Sequence, residues 1–111
     1  MALTQLARDR WPAFFDAASR AVTAQQASVE VTGLQIGDRI AADHAELAGM
    51  TYEPQADTLT LFLKGLEHRI RQPKAIHVDS DVGALHSIEV VDGEGMHHII
   101  QFSAALALPA A

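Results

Sequence analysis

Near its start the chain carries one apolar stripe at helical spacing. The apolar side chains recur at steps of three and four, which indicates an amphipathic helix; they are Trp11, Phe14, Phe15, Ala18, Ala21 and Val22. Pro12 falls in the first turn, where a missing backbone N–H costs nothing, and we expect Gln25 and Gln26 to close the helix. Because three of the six aromatic residues lie on this stripe, the helix is predicted to cover the apolar face of a sheet.

From residue 27 onward the apolar period changes to two, which predicts strands. Val29 and Val31 alternate with polar residues up to Gly33. Residues 39–48 fit either an alanine-rich helix or an irregular strand, and we favour a strand because the neighbouring segments on both sides are strands. Further strands are predicted over Leu66–Arg71 and from Ala75 to Asp79.

Two hairpins are predicted in the second half of the chain. Residues 51–64 fold back across Pro54–Asp57, a loop of turn-forming residues. His86–Val91 and Met96–Phe102 flank Asp92–Gly95, where glycine supplies the positive φ that a tight turn requires.

This succession of elements predicts an α+β fold in a single domain. An N-terminal helix packs on a twisted, mainly antiparallel meander sheet of six to eight short strands, with a half-barrel as one form that such a sheet can take. The domain is expected to span residues 1–103, and residues 104–111 to form a loosely held, apolar C-terminal tail.

Composition narrows the class of protein. A chain of 111 residues that is 49% hydrophobic and 20% charged is typical of one globular domain. There are no cysteines, which removes disulfides and thiolate zinc sites and suits a reducing, cytoplasmic location. The net charge of −6 repels phosphate backbones, so no nucleic-acid partner is expected. The longest uncharged apolar run, Phe102–Ala111, is about half the length that spans a bilayer, so no membrane partner is expected either.

The six histidines are the unusual feature of the composition that could carry chemistry. His86 lies across the last hairpin from His97 and His98, and we place one of these two within a pair or two of it. Imidazoles at that separation can hold a metal ion, and Asp79 or Asp81 can complete its shell. Against this, no spacing matches a known zinc pattern, and His97 and His98 are adjacent and therefore point to opposite faces of a strand. We therefore expect no metal site and no cofactor, with His86, His97 and Asp79 as the candidates to check.

His68 is the candidate for a pocket or pH-sensitive residue. It shares a strand face with Leu66 and Ile70, because the charged residues between them must face water. A buried imidazole favours its neutral form. The alternative, which we favour, is a core histidine whose hydrogen bonds are satisfied. The neighbouring cluster of Arg69, Arg71 and Lys74 is interpreted as a solvated strand face.

No catalytic residues are predicted. None of the serines lies in a strand–turn–helix setting flanked by glycines, and Ser87 and His86 are adjacent in a strand, so their side chains point to opposite faces. An enzyme is therefore not the expected class, although paired carboxylates that meet only in space would leave no mark in the sequence.

Three stretches resemble a family of short bacterial proteins. They are residues 10–15 (RWPAFF), residues 68–73 (HRIRQP), and Val91-Asp92-Gly93 followed by Ile99–Phe102. The family is one of the domain-of-unknown-function families, and the resemblance implies a bacterial origin, a cytoplasmic location and a stand-alone domain, with no activity, cofactor or catalytic residue to transfer. The extension of Asp-Gly by Glu94-Gly95 departs from the family and leaves the register of the hairpin open.

Two function classes follow. The first is a non-enzymatic binding or protein-interaction module, with exposed edge strands that invite a protein or peptide partner; a homodimer through an edge strand or the C-terminal tail is expected ahead of a monomer. The second is a small metal- or metabolite-binding protein, or an enzyme, that uses the histidines near the C-terminal hairpin.

Overall fold

The computed structural model describes residues 2–22, 25–34 and 37–107. These residues form one eight-stranded sheet and one α-helix of ten residues. The strands are β1 (Ala2–Gln5), β2 (Gln25–Gly33), β3 (Gly37–Glu53), β4 (Thr58–Leu63), β5 (Leu66–Arg71), β6 (Ala75–Asp81), β7 (Ala84–Val91) and β8 (His97–Ala107), and the helix α1 is Trp11–Arg20.

The sheet is antiparallel throughout and joins two meanders. Its order is β1-β6-β7-β8-β2-β3-β4-β5. In β2–β5 and in β6–β8 each strand pairs with the next one along the chain, and the β2–β8 pair links these two meanders. The prediction of one helix followed by a single meander was therefore only partly right. The first strand precedes the helix and pairs with β6, which is more than seventy positions away along the chain. A segment of four residues, ALTQ, is too short to show a periodicity that would predict such a pairing.

The sheet curls strongly without closing. The backbone N–H of Gly93, just after β7, donates to the carbonyl of Arg71 at the end of β5, with an N···O distance of 3.3 Å. In a flat sheet of this order β5 and β7 would stand about 24 Å apart, because neighbouring strands are about 4.8 Å apart. The two edge strands, β1 and β5, do not pair with each other in the described part of the chain.

The helix covers the core as its stripe predicts. Trp11, Phe15 and Ala18 are buried, and Phe14 packs partly against the same core. The Trp11 ring meets the Tyr52 ring edge-on, with 5.2 Å between ring centroids. The buried side chains of the sheet come from the seven strands β2 to β8; they are Ala27, Val29, Leu47, Met50, Tyr52, Leu59, Leu61, Leu63, Ile70, Ile76, Val78, Leu85, Ile88, Val90, Ile100, Phe102 and Leu106.

The helix ends earlier than expected. It stops at Arg20, and Gln25 and Gln26 pair with Leu47 and Glu46 as the first residues of β2. Strand pairing therefore takes the two residues that we expected to close the helix. Close approach of α1 to β3 depends on Gly49, where a Cβ atom would lie 2.7 Å from the hydroxyl oxygen of Ser19.

The ambiguous segment is a strand. Residues 39–48 all lie within β3, and the irregularity that blurred their pattern is two breaks in register against β2. At the first break His44 has a positive φ of 50°, and its backbone N–H donates to the hydroxyl of Ser28. Such bulges disturb the alternation of faces on which sequence patterns depend.

The C-terminal segment is held more firmly than expected. Residues 104–107 are the end of β8 rather than a loose tail, because Leu106 is buried and pairs with Leu85 of β7. Residues 108–111 lie outside the described residues. In the part of the chain that the structure describes, no helix is long and apolar enough to cross a membrane.

Replacing Phe15 tests the role of the helix. Phe15→Ala should lower the free energy of unfolding by about 3–5 kcal/mol, because the side chain is fully buried and leaves a cavity. Phe14→Ala is the matched control and should cost clearly less, because that ring is only partly buried. Urea unfolding measures both, and equal losses would contradict this account of the packing.

Candidate functional site

The three candidate metal ligands are not brought together. Nε2 of His86 lies 3.2 Å from a carboxylate oxygen of Asp81, and Nδ1 of His97 lies 3.0 Å from one of Glu89. His97 pairs across the hairpin with Val91, five positions along β7 from His86, a separation of about 17 Å. His98 pairs with Val90, four positions along β7 from His86. The expected proximity of His86 to His97 or His98 was therefore wrong, and of the two candidate aspartates Asp81 is the one beside His86.

Within the described residues, Asp79 makes no hydrogen bond or ion pair with His86 or His97. It pairs with Leu3 of β1 and Ser87 of β7, and one of its carboxylate oxygens is buried without a hydrogen bond. Within residues 2–22, 25–34 and 37–107, no group of three or more histidine and carboxylate side chains has the arrangement of a metal site.

A different set of polar side chains meets inside the curled sheet. Nε2 of His68, on β5, lies 2.9 Å from Nδ1 of His98 on β8, and Nε2 of His98 lies 2.8 Å from a carboxylate oxygen of Asp92. Asp92 follows β7, so the chain of hydrogen bonds runs from an edge strand to the last hairpin. We call Asp92, His98 and His68 the polar chain.

Alternation along the strands places both histidines inside. His68 pairs with Leu61, whose neighbours Leu59 and Leu63 face the core, and therefore lies on that face itself. His98 pairs with Val90 and is almost fully buried, whereas its neighbour His97 points outward to Glu89. The period of two thus sends one of the adjacent histidines to each face of β8.

Asp92 is held by the turn it begins. Its second carboxylate oxygen accepts hydrogen bonds from the backbone N–H groups of Glu94 and Met96, at 2.8 and 3.0 Å. Aspartate commonly caps its own turn in this way. Both carboxylate oxygens are therefore occupied, one by the turn and one by His98.

The Asp92 carboxylate fixes the hydrogen-bond direction at one end of the polar chain, and the direction between the two rings follows for a neutral His98. An ionised carboxylate can only accept, so Nε2 of His98 carries the hydrogen that Asp92 receives. With His98 neutral, its Nδ1 then accepts from Nε2–H of His68. Both ring nitrogens of His98 are consequently engaged, and Nδ1 of His68 is left as an acceptor.

Burial and hydrogen bonding shift the ends of the polar chain in the same direction. Burial, with His98 alongside, lowers the pKa of His68 to about 4 from its ordinary 6.5. Burial alone would raise the pKa of Asp92, but the hydrogen bonds from His98 and from the Met96 and Glu94 amides outweigh it, so the pKa lies below its usual range. At neutral pH, His68 is therefore neutral and Asp92 is ionised.

A groove borders the polar chain. It has a volume of about 520 Å³ and runs between the β4–β5 end of the sheet and the β7–β8 turn. Its lining residues are Ala56, Thr58, Arg69, Arg71, Gln72, Asp92, Gly93, Glu94, Met96 and His98. His68 lies behind His98 and is not part of the lining. Gly93 allows the two walls to meet, since a Cβ atom there would lie 2.7 Å from the side-chain oxygen of Gln72.

A second hollow lies on another part of the sheet. It has a volume of about 300 Å³, lies between β2, β3 and β8, and is lined by residues that include Ser28, Ile40 and Gln101. His44 is the histidine of this hollow, and its ring is tied to the neighbouring Asp43. Among the described residues that line it, no polar side chain is buried as Asp92 and His98 are.

Sequence reasoning found one member of the polar chain and missed two. The face of His68 was predicted by alternation with Leu66 and Ile70. His98 was set aside as the neighbour of His97, and Asp92 was seen only as a turn residue. The available signal was the alternation on β8, which puts His98 on the face of Ile100 and Phe102.

Comparison with known proteins adds a family but no function. The model of a family described as "Family of unknown function (DUF5335)" matches residues 2–111. A relative from Aquifex aeolicus (strain VF5), described as "Uncharacterized protein", is 33% identical over 110 residues, which are 98% of this chain and 99% of the relative. No solved structure matches the chain.

The stability of the fold should depend on pH through His68. Between pH 6.5 and pH 4 the unfolded chain binds a proton that the folded chain refuses, so stability is highest above about 6.5 and falls as the pH approaches 4. The loss from this residue is at most about 3 kcal/mol. Urea unfolding across this range should show a shallower decline for His68→Gln than for the native chain.

His44→Gln is the control for that measurement, because the His44 ring is exposed. It should leave the decline between pH 6.5 and pH 4 nearly as steep as in the native chain. An equal effect of the two variants would refute the assignment to His68.

Removing the charge of Asp92 should destabilise the fold. Asp92→Asn places an amide where three donors already converge, so an N–H group would face either Nε2–H of His98 or the turn amides. We expect a loss of about 2 kcal/mol in the free energy of unfolding. The matched control is Asp43→Asn, which removes an exposed pair with His44 and should cost under about 1 kcal/mol. Thermal or urea unfolding compares them, and a neutral Asp92→Asn would contradict the assigned roles.

Proposed function

Because this chain belongs to DUF5335, a family of unknown function, we propose its function from its own groove: it is a small, non-enzymatic binding module that takes a small molecule between β5 and the β7–β8 turn. The observation that supports this most directly is the groove itself, which is large enough for a small metabolite and is bordered by charged groups and by the buried, hydrogen-bonded Asp92 and His98 of the polar chain. A cytoplasmic location, which the lack of cysteines favours, is part of the proposal.

The engagement of the buried groups favours binding over catalysis. A general acid or base needs a ring nitrogen or carboxylate oxygen within reach of the ligand. Both ring nitrogens of His98 are hydrogen-bonded, to Asp92 and to His68, and both carboxylate oxygens of Asp92 are hydrogen-bonded, to His98 and to the turn. These groups therefore hold the floor of the groove in one conformation, which lowers the cost of ordering it around a ligand.

A metabolite enzyme that uses the histidines near the hairpin is the second candidate. The polar chain favours it, since an Asp–His–His series can move a proton through alternating donors and acceptors. The acceptor left at its end, Nδ1 of His68, belongs to a residue outside the lining of the groove. The binding proposal therefore has the stronger support.

A protein partner or a homodimer through an edge strand stays a prediction. On the exposed edge, β5 carries Glu67, Arg69 and Arg71, and the part of β3 beyond β4 is broken by bulges. Charged residues and bulges both discourage the addition of another strand. The groove therefore has more support as the binding surface than these edges.

Occluding the groove tests the proposal. Ala56 lines the groove and is exposed, so Ala56→Trp should fill part of it without disturbing the core. In ¹⁵N-edited NMR spectra, members of a small-molecule fragment library that bind should shift the amide signals of Gly93, Glu94 and Met96, and these shifts should be lost in Ala56→Trp.

The control is Ala41→Trp, an equally large change at an exposed position of β3 outside the groove. It should leave the same shifts in place. Fragments that bind only the hollow between β2, β3 and β8, or that bind the groove equally in both variants, would overturn the proposal.

A further inference from the structure

The two walls of the groove carry opposite charges. Arg69 and Arg71 belong to the β5 wall, and Glu94 belongs to the turn wall. The walls approach each other closely, because the Gly93 N–H and the Arg71 carbonyl are hydrogen-bonded. Resting on the proposed function, we propose that the ligand is a small zwitterion of the amino-acid class, whose carboxylate binds the arginines and whose ammonium group binds Glu94.

The β5 wall can receive a carboxylate. Arg69 and Arg71 are two positions apart on one strand and so project from the same face about 7 Å apart. The side chain of Arg71 makes no hydrogen bond or ion pair within the described residues, and its planar guanidinium can bind a carboxylate through two parallel hydrogen bonds. Arg69 has an ion pair with Glu67, but both side chains are about half exposed, so the pair is weak and can yield to a ligand.

The turn wall can receive a cation. Glu94 is exposed at the rim and has no side-chain hydrogen bond within the described residues. Asp92 adds negative charge below it, but its oxygens are already occupied by His98 and by the turn. Glu94 is therefore the carboxylate available for an ammonium group, and Asp92 contributes only its field.

Charge balance is what selects a zwitterion. The two arginines and the two carboxylates of the groove cancel, so a plain anion meets repulsion from Glu94 and Asp92, and a plain cation meets repulsion from the arginines. A ligand that carries both charges satisfies both walls. The net charge of −6 over the whole chain adds a further penalty to simple anions.

The test uses ω-amino acids and analogues that carry only one of the two charges. Glycine, 4-aminobutyrate and 6-aminohexanoate vary the separation of the charges, while butyrate and butylammonium each carry one charge only. NMR titration of the amide signals of Arg71 and Glu94 should show that at least one of the three zwitterions binds about tenfold more tightly than butyrate or butylammonium.

Variants locate the two contacts. Arg71→Gln and Glu94→Gln should each weaken binding of the best zwitterion about tenfold, whereas Arg39→Gln and Glu46→Gln, which change exposed charges of β3 outside the groove, should leave it unchanged. All four positions are exposed, and unchanged signal dispersion in the spectra confirms that the variants fold.

The outcomes separate this inference from the proposed function. Binding of butyrate as tight as that of the zwitterions, or fragments that bind the groove while none of the zwitterions does, overturns the ligand class and leaves the binding module standing. A groove that takes neither the zwitterions nor any fragment, with no effect of Ala56→Trp, overturns both.

Discussion

The apolar face of a curled sheet must be kept from water, and in this protein the first turns of α1 cover it. Trp11 and Phe15 are buried against β3, and Trp11 also donates its indole N–H to the carbonyl of Leu6, 3.0 Å away. Burying two large aromatic side chains contributes several kcal/mol, of the order of the whole stability of a domain of this size. The other elements have to be arranged so that this contact is made.

That contact also positions one wall of the groove. Tyr52 meets the Trp11 ring edge-on and donates its hydroxyl hydrogen to Asp57, with 2.7 Å between the oxygens. Arg8 stacks over the other part of Trp11, at 4.3 Å from the ring centroid, and donates to the carbonyl of Pro73. Both contacts end on segments that carry the groove, since Asp57 lies between Ala56 and Thr58, and Pro73 follows Gln72. The aromatic core and the candidate site are thus parts of one structure.

Local patterns predicted what depends on local spacing. The apolar stripe of α1, the strand at residues 39–48 and the inward face of His68 each follow from a period of three to four or of two. Pairings between distant segments left no such mark, which is why β1 was missed and why the β2–β8 pair came from the structure alone. One error was avoidable: counting outward from the Val91–His97 pair puts His86 opposite residue 102, far from His97. The bulge between Leu85 and Ser87 shifts the register further along β8, away from His97.

The groove shows why the charges of β5 were interpreted differently from sequence and from structure. Arg69 and Arg71 are exposed, so their description as a solvated strand face is correct for the strand by itself. The curl adds a second fact, that the turn carrying Glu94 lies against the end of this strand, and it comes from a hydrogen bond between residues 71 and 93. From the sequence, Arg69 and Arg71 look like ordinary surface residues. In the fold they form one wall of a groove whose other wall carries Glu94. The role that we propose for these arginines depends on the fold in the same way that the burial of His68 and His98 does, because each requires β5 and the last hairpin to meet.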